Sequence, residues 1–182
     1  MDRLLIRNKT EIRKEVGKRI SRLTDAEKLS AAQKVRDLIV RLKEFIKAKT
    51  VMVYLAKADE VDTAPVVEQA KADGKGLIVP VVNGSKILPC ELEDNLDASD
   101  LGVLEPVTRK MVNKDNIDLV IVPGRAFSAS GGRIGRGKGF YDRFLTSLSN
   151  SVPTIGICFS CQLFPSLPVS ERDRPVSAVI SA

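Results

Sequence analysis

Short β-branched, apolar runs alternate with helix signals along this chain, and that alternation limits its fold more than any other feature. Residues 50–56, 77–82, 119–122 and 153–159 each read as a buried strand, and 176–180 as a fifth. Between them lie helices. Ile12, Val16 and Ile20 form one stripe over residues 1–22, and Lys9 and Arg13 project together from that helix. Thr24-Asp25-Ala26-Glu27 is a capping box, and the helix it starts carries Val35, Leu38, Ile39, Leu42, Phe45 and Ile46. Thr63 caps a third helix ending near Gly74, and a fourth is predicted over 140–148. Asn83-Gly84 signals a hairpin into a run at 87–92. Residues 93–117 read as polar and irregular, with a short helix expected at 108–114. The expected fold is α/β, with three layers: a mostly parallel sheet flanked by helices on both faces. No repeat or long Pro/Ser linker interrupts it, so a single domain is expected over 1–182. Ligands of such sheets sit beyond the carboxyl ends of the strands. The loops there carry Glu60, then an Arg/Gly segment, then Gln162 and Asp173, and they should open at one end.

The 182 residues contain no histidine. That excludes Ser-His-Asp and Cys-His catalysis, an HExxH metal site and an imidazole base. Three cysteines make no disulfide framework, and the lone Cys158-x-x-Cys161 lacks a second pair for zinc. They read as small apolar fillers in a reducing compartment. The start is charged rather than apolar, and no run approaches the ~18–20 apolar residues of a membrane span. A soluble, cytoplasmic protein without membrane association is expected. Residues 1–49 hold 15 Lys and Arg against 7 Asp and Glu, within a net charge of +6. Such a surplus suits nucleic acid, an anionic small molecule or simply a solvated helix face.

Residues 123–145 are the most biased window. Six of the twelve glycines fall between 124 and 139, and Gly135, Gly137 and Gly139 alternate with Arg136 and Lys138. Glycines let backbone N–H groups approach a phosphate, and the following helix start adds unpaired N–H groups and partial positive charge. Gly132, four residues, Gly137 and Lys138 fit G-x-x-x-x-G-K, but Gly139 stands where Ser or Thr should hold magnesium. The loop is also long for a P-loop. Asp142 is positioned to supply the missing metal ligand, or merely to favour its helix start. Phe140 and Tyr141 either pack the helix on the sheet or meet a ligand. A polyphosphate site is the better reading of the segment as a whole.

The run Val122-Pro-Gly-x-Ala-Phe, then Gly132-Arg-Ile-Gly-Arg-Gly-Lys-Gly-Phe-Tyr-Asp-Arg-Phe-Leu145, resembles the signature of the 5-formyltetrahydrofolate cyclo-ligase family. Lys9-x-x-x-Arg13, Tyr54-Leu55 through Asp59-Glu60-Val61-Asp62-Thr63, Leu104-Glu105-Pro106, Gln162 and Asp173 fall in the family's order, so nearly the whole chain is covered. The resemblance implies ATP- and Mg2+-dependent conversion of 5-formyltetrahydrofolate, polyglutamylated forms included, to 5,10-methenyltetrahydrofolate, with release of ADP and phosphate. It implies that Lys9 and Arg13 reach the ATP phosphates. Arg133, Ile134, Gly135, Arg136, Gly137, Lys138, Gly139, Phe140 and Tyr141 would form the nucleotide loop, with Arg136 and Lys138 neutralising charge in the reaction. Leu55 and Glu60, with Arg136 and Tyr141, would line the folate site, Glu60 accepting from the pterin. Asp142 and Asp173 would hold magnesium. Ser128 and Ser177 depart from the family, which often has Asp there.

By that resemblance the formyl oxygen is phosphorylated, N10 attacks the activated carbon, and phosphate leaves as the ring closes. Such chemistry asks for alignment and charge neutralisation rather than a nucleophilic side chain. A monomer that binds no nucleic acid is expected. Read without the resemblance, Lys9, Arg13 and Glu60 also suit solvated surface charges, Asp173 an ion pair between neighbouring arginines, and Leu55 a core position. The competing readings of the chain are a basic nucleic-acid-binding module, and a sugar-phosphate or acyl-CoA enzyme on a related scaffold.

Overall fold

The structure is a computed structural model and describes residues 8–100 and 102–182. The expected first helix therefore begins, for description, at α1 (Lys9–Ile20), and residues 1–7 of that prediction lie outside the described residues. Asn8 and Glu11 form a reciprocal capping box that starts α1, and Ile12, Val16 and Ile20 are its buried stripe. Thr24 and Glu27 do the same for α2 (Asp25–Ile39). The single long helix predicted after Thr24 is broken. Residue 42 turns extended, and α3 (Lys43–Lys47) restarts the helix in a new direction. Val35, Ile39 and Phe45 are therefore buried, whereas Leu38 and Ile46 of the predicted stripe are exposed.

The chain continues through β1 (Thr50–Met52), α4 (Ala64–Ala72), β2 (Gly76–Asn83), β3 (Lys86–Glu91), β4 (Leu96–Ala98) and β5 (Leu104–Pro106). Then follow β6 (Leu119–Val122), β7 (Ala126–Ser128), β8 (Arg133–Ile134), α5 (Phe140–Ser147), β9 (Thr154–Cys158), β10 (Leu163–Phe164) and β11 (Ala178–Ser181). The main sheet has the order β11-β9-β6-β1-β2-β3. All its pairs are parallel except β2 with β3, which the Asn83-Gly84 turn joins as an antiparallel hairpin.

Strand alternation sorts the core into two halves. Val51, Val53, Leu119, Ile121, Ile155 and Ile157 pack with α1, α2 and α4. Met52, Val120, Val122 and Cys158 point the other way and pack with Phe144, Leu145 and Leu148 at α5. Helices thus cover both faces, as parallel strands buried on each side require. Gly156 has a steric reason: a Cβ there would lie 2.4 Å from the Phe127 ring, which fills the space beside β9. Cys158 is a buried filler whose thiol burial pushes up to about 12, and all three cysteines are free thiols.

The helix expected at 108–114 does not form. Arg109 takes a left-handed φ of 48°, and residues 110–112 run beside β3. There the Glu91 N–H donates to the Lys110 carbonyl and the Val112 N–H to the Pro89 carbonyl. Pairing to an open sheet edge wins over local helical preference. The 93–117 stretch also holds the small β4–β5 hairpin. No helix among the described residues is long and apolar enough to cross a membrane.

Candidate active site

Strands β1, β6 and β9 are neighbours and parallel, so the loops leaving them open at one end of the sheet, as expected. Two contacts lock these exits together. Gln162 is 1% exposed; its Oε1 accepts from Phe159 N at 2.9 Å, and its Nε2 donates to the Gly124 and Arg125 carbonyls at 3.0 Å. Arg125, itself buried, reaches from the β6 exit to Asp59 of the β1 exit at 2.5 Å.

Beyond β6 the chain makes a buried hairpin, β7–β8, and then the glycine loop 135–139. Gly137 has φ 104° and Gly139 has φ 65°, values that an L side chain rarely adopts. Among the described residues none of the N–H groups of residues 135–139 donates to a protein acceptor. Arg13 supports the loop from α1: its Nε donates to the Gly135 carbonyl at 2.7 Å, and its guanidinium lies under Gly137.

The loop forms one side of a cavity of about 290 Å³. Tyr54 and Leu55 from the β1 exit, Pro80 and Val82 from β2, and Val103 before β5 give it largely apolar walls. Beside the loop, its polar groups and their partners form two sets. In the first, Arg136 bridges Asp59 and Glu60, with Nη2 and Nε at 2.9 and 3.2 Å from Glu60 Oε1 and Nη1 at 3.2 Å from Asp59 Oδ2. Burial would raise the Asp59 carboxyl, but the hydrogen bond and charge of Arg136, with the charge of Arg125, outweigh it and hold Asp59 below the usual range. Arg136 is raised in turn: burial opposes its charge, and the two carboxylates prevail.

In the second set, Arg133, 3% exposed, donates to Asp142 Oδ1 at 2.5 Å. Arg133 Nε and the Tyr141 hydroxyl are buried with no hydrogen-bond partner. Burial, then the charge of Glu60, pushes the Tyr141 phenol far above its ordinary value despite nearby Arg133, so it is a neutral donor. Lys138 lies over the Phe140 ring at 5.9 Å, with no carboxylate partner among the described residues.

The comparisons with known proteins agree with this geometry. A profile of the 5-formyltetrahydrofolate cyclo-ligase family matches residues 6–182. The 5-formyltetrahydrofolate cyclo-ligase of Escherichia coli K12 is 31% identical over 87% of this chain and 92% of its own length. The chain belongs to this cyclo-ligase family. A probable cyclo-ligase of Caenorhabditis elegans is 28% identical over 94% of this chain and 91% of that one. The solution structure of the Aquifex aeolicus 5,10-methenyltetrahydrofolate synthetase superposes with a TM-score of 0.84 at 34% identity, covering 95% of this chain and 89% of that one. A Mycoplasma pneumoniae synthetase shares the fold, with a TM-score of 0.79 at 24% identity over 96% and 98% of the two chains.

Of the residues that the cyclo-ligase signature singles out, Leu55, Glu60, Arg133, Gly135, Arg136, Lys138, Gly139, Phe140, Tyr141 and Asp142 all line the one cavity. Ile134 and Gly137 do not: the Ile134 side chain is buried among the core residues and its backbone pairs in the β7–β8 hairpin, and Gly137 lies against the Arg13 guanidinium. Lys9 and Asp173 do not line it either. They pair with each other, Lys9 Nζ lying 2.6 Å from Asp173 Oδ1, and so tie α1 to the C-terminal segment. Burial raises the Asp173 carboxyl, yet Lys9 and Ser170 together hold it below its usual range. Among the described residues no three metal-binding side chains gather.

The two family departures have local partners. Ser128 Oγ accepts from Gly132 N at 3.0 Å within the β7–β8 turn. Ser177 Oγ accepts from Thr154 N at 3.2 Å, at the start of β9. Sequence reasoning missed Tyr54, Val103 and Glu105 as cavity residues and Asp59 as the partner of Arg136. Nothing local to Asp59 or Glu105 marks its partners, whereas the loop residues are marked by glycine and arginine bias and by the cyclo-ligase signature.

Proposed function

We propose that this chain, as one domain over 1–182, cyclises 5-formyltetrahydrofolate to 5,10-methenyltetrahydrofolate at the expense of ATP and with Mg2+. The observation that carries the reading is the single cavity in which a glycine loop with unpaired N–H groups meets a slot with apolar walls and acidic rims. The donor set fits a nucleotide: free backbone N–H groups, Lys138 without a carboxylate, and the unpartnered Arg133 Nε and Tyr141 hydroxyl all offer donors. It fits magnesium as well, because Mg2+ bound to a nucleotide takes most of its ligands from phosphates and water and needs only one or two carboxylates. Asp142, which lines the cavity, is the first choice, with Asp173 a second.

ATP supplies the phosphoryl group that makes the formyl oxygen a leaving group, and Mg2+ neutralises phosphate charge. The chain's own residues do the rest. Arg136 and Lys138 place positive charge beside the loop, where it costs no reorganisation during transfer. Arg13 fixes the loop's backbone through the Gly135 carbonyl, and Lys9 holds α1 against the Asp173 segment. Leu55 and Tyr54 hold a flat ring, and Glu60, held by Arg136 and the Lys57 N–H, stands beside it. Arg125 and Arg133 are buried and Arg136 is engaged by acids, which leaves Lys138 as the loop's exposed cation without a described carboxylate partner.

The test is turnover of 5-formyltetrahydrofolate by purified protein with and without MgATP, followed by the absorbance of the conjugated product. Product is expected only with MgATP. A folded protein that makes none overturns the reading.

A further inference from the structure

We infer that Glu105 is a second folate-facing carboxylate, accepting a hydrogen bond from an N–H group of the pterin ring and so fixing the ring's orientation. The inference rests on the folate reading above. Glu105 is 6% exposed and lines the cavity from β5, on the wall that includes Val82 of β2. A carboxylate so placed is costly unless its oxygens are satisfied. One is: Oε2 accepts from Arg109 Nη2 at 3.2 Å. Arg109 is the non-glycine residue with a positive φ among the described residues, a conformation costing about 1–2 kcal/mol and kept where the surroundings demand it. The other oxygen is not well satisfied. The nearest donor to Oε1, the Val82 N–H, is 3.5 Å away, at the outer limit of a hydrogen bond.

Glu60 is in the opposite condition. Its Oε1 takes two donors from Arg136, and its Oε2 takes the Lys57 N–H at 3.0 Å. Of the two glutamates that line the cavity, Glu105 therefore has the buried acceptor capacity to spare. A pterin ring matches it: a flat pyrimidine for the Tyr54, Leu55 and Pro80 walls, with N–H donors at its 2-amino, N3 and N8 positions.

The test uses the full chain with Glu105→Gln, Arg109→Ala, and three analogues of 5-formyltetrahydrofolate: one lacking the 2-amino group, one methylated at N3 and one with N8 replaced by carbon. In Glu105→Gln the folate KM should rise about 10- to 100-fold, as expected for loss of a charged hydrogen bond, while the ATP KM stays within about twofold. The wild type should discriminate against one analogue, and Glu105→Gln should lose most of that discrimination, which a merely structural role would leave intact. Which analogue loses its penalty names the donor. If Glu105→Gln does not fold, Arg109→Ala decides, because Arg109 is 55% exposed; its folate KM should rise at least about threefold. Unchanged folate KM, or unchanged discrimination against all three analogues, in the folded variant overturns the assignment. Absence of turnover in the wild type would instead overturn the folate reading itself.

Discussion

Arg133 donates to Asp142 across 2.5 Å, and this pair sits in the wall of the cavity with the arginine side chain 2% exposed. Removing one partner of a buried pair strands the other, which typically costs about 3–5 kcal/mol. Arg133→Ala should accordingly lower the melting temperature by roughly 6–20 °C for a chain of this size. Asp142→Asn keeps an acceptor for Arg133, so its loss should be smaller, while the magnesium concentration needed for half-maximal turnover should rise. Melts and a magnesium titration of both variants check this. Equal magnesium dependence in Asp142→Asn and wild type would remove Asp142 as a metal ligand.

Arg136 and Lys138 should separate activity from stability. Arg136 and its partner Asp59 are about 40% exposed, whereas its second partner Glu60 is 11% exposed and keeps the Lys57 N–H as a donor when Arg136 is removed. Exposed pairs contribute about 0–1 kcal/mol, and Lys138 makes none with a described carboxylate. Arg136→Ala should melt within about 2–4 °C of wild type, and Lys138→Ala should be indistinguishable from it. Both should raise the ATP KM at least about tenfold, the loss expected of a charged hydrogen bond to phosphate. Unchanged kinetics would show that the charges only fold the loop.

Asp173 and Asp59 should make the fold acid-sensitive. Both carboxyls are held below the ordinary value of about 3.9 that they regain on unfolding. The stability they add is complete above that unfolded value and is lost as pH falls through the lower folded one. The melting temperature should therefore drop as pH falls below about 4. Asp173→Asn should melt lower than wild type at pH 6 and converge with it in acid. Parallel curves for the two proteins would mean that the Lys9–Asp173 pair adds nothing.

The main sheet was legible because its evidence is local: β-branched runs announce strands, and Asn83-Gly84 announces a hairpin. The glycine loop was legible because its composition is extreme. What escaped depends on contacts distant in sequence. The β7–β8 hairpin lies hidden inside the glycine segment, since its pairing of Phe127 with Arg133 follows from burial rather than from a strand pattern. The failed helix at 108–114 is a sheet-edge effect. Lys9 and Asp173 were placed correctly in order but not in space, because their ion pair spans 164 positions. Asp59 shows the same limit: nothing near it in sequence says that Arg125 and Arg136 both converge on it.

Tyr141 offers the sharpest separation of function from stability. Its hydroxyl is buried beside the glycine loop with no partner, a condition that costs the folded protein about 1–3 kcal/mol relative to a satisfied or absent group. Tyr141→Phe deletes that group while keeping the ring over which the Arg133 guanidinium sits at 5.9 Å. The variant should therefore melt at or above the wild-type temperature, by up to about 12 °C. If the hydroxyl donates to a ligand oxygen, the same variant should lose about 10-fold or more in turnover efficiency. Because burial and Glu60 keep the phenol neutral, the wild-type pH–rate profile should show no tyrosine ionisation up to about pH 10. A Tyr141→Phe protein that is both less stable and fully active would mean that the hydroxyl is a structural group.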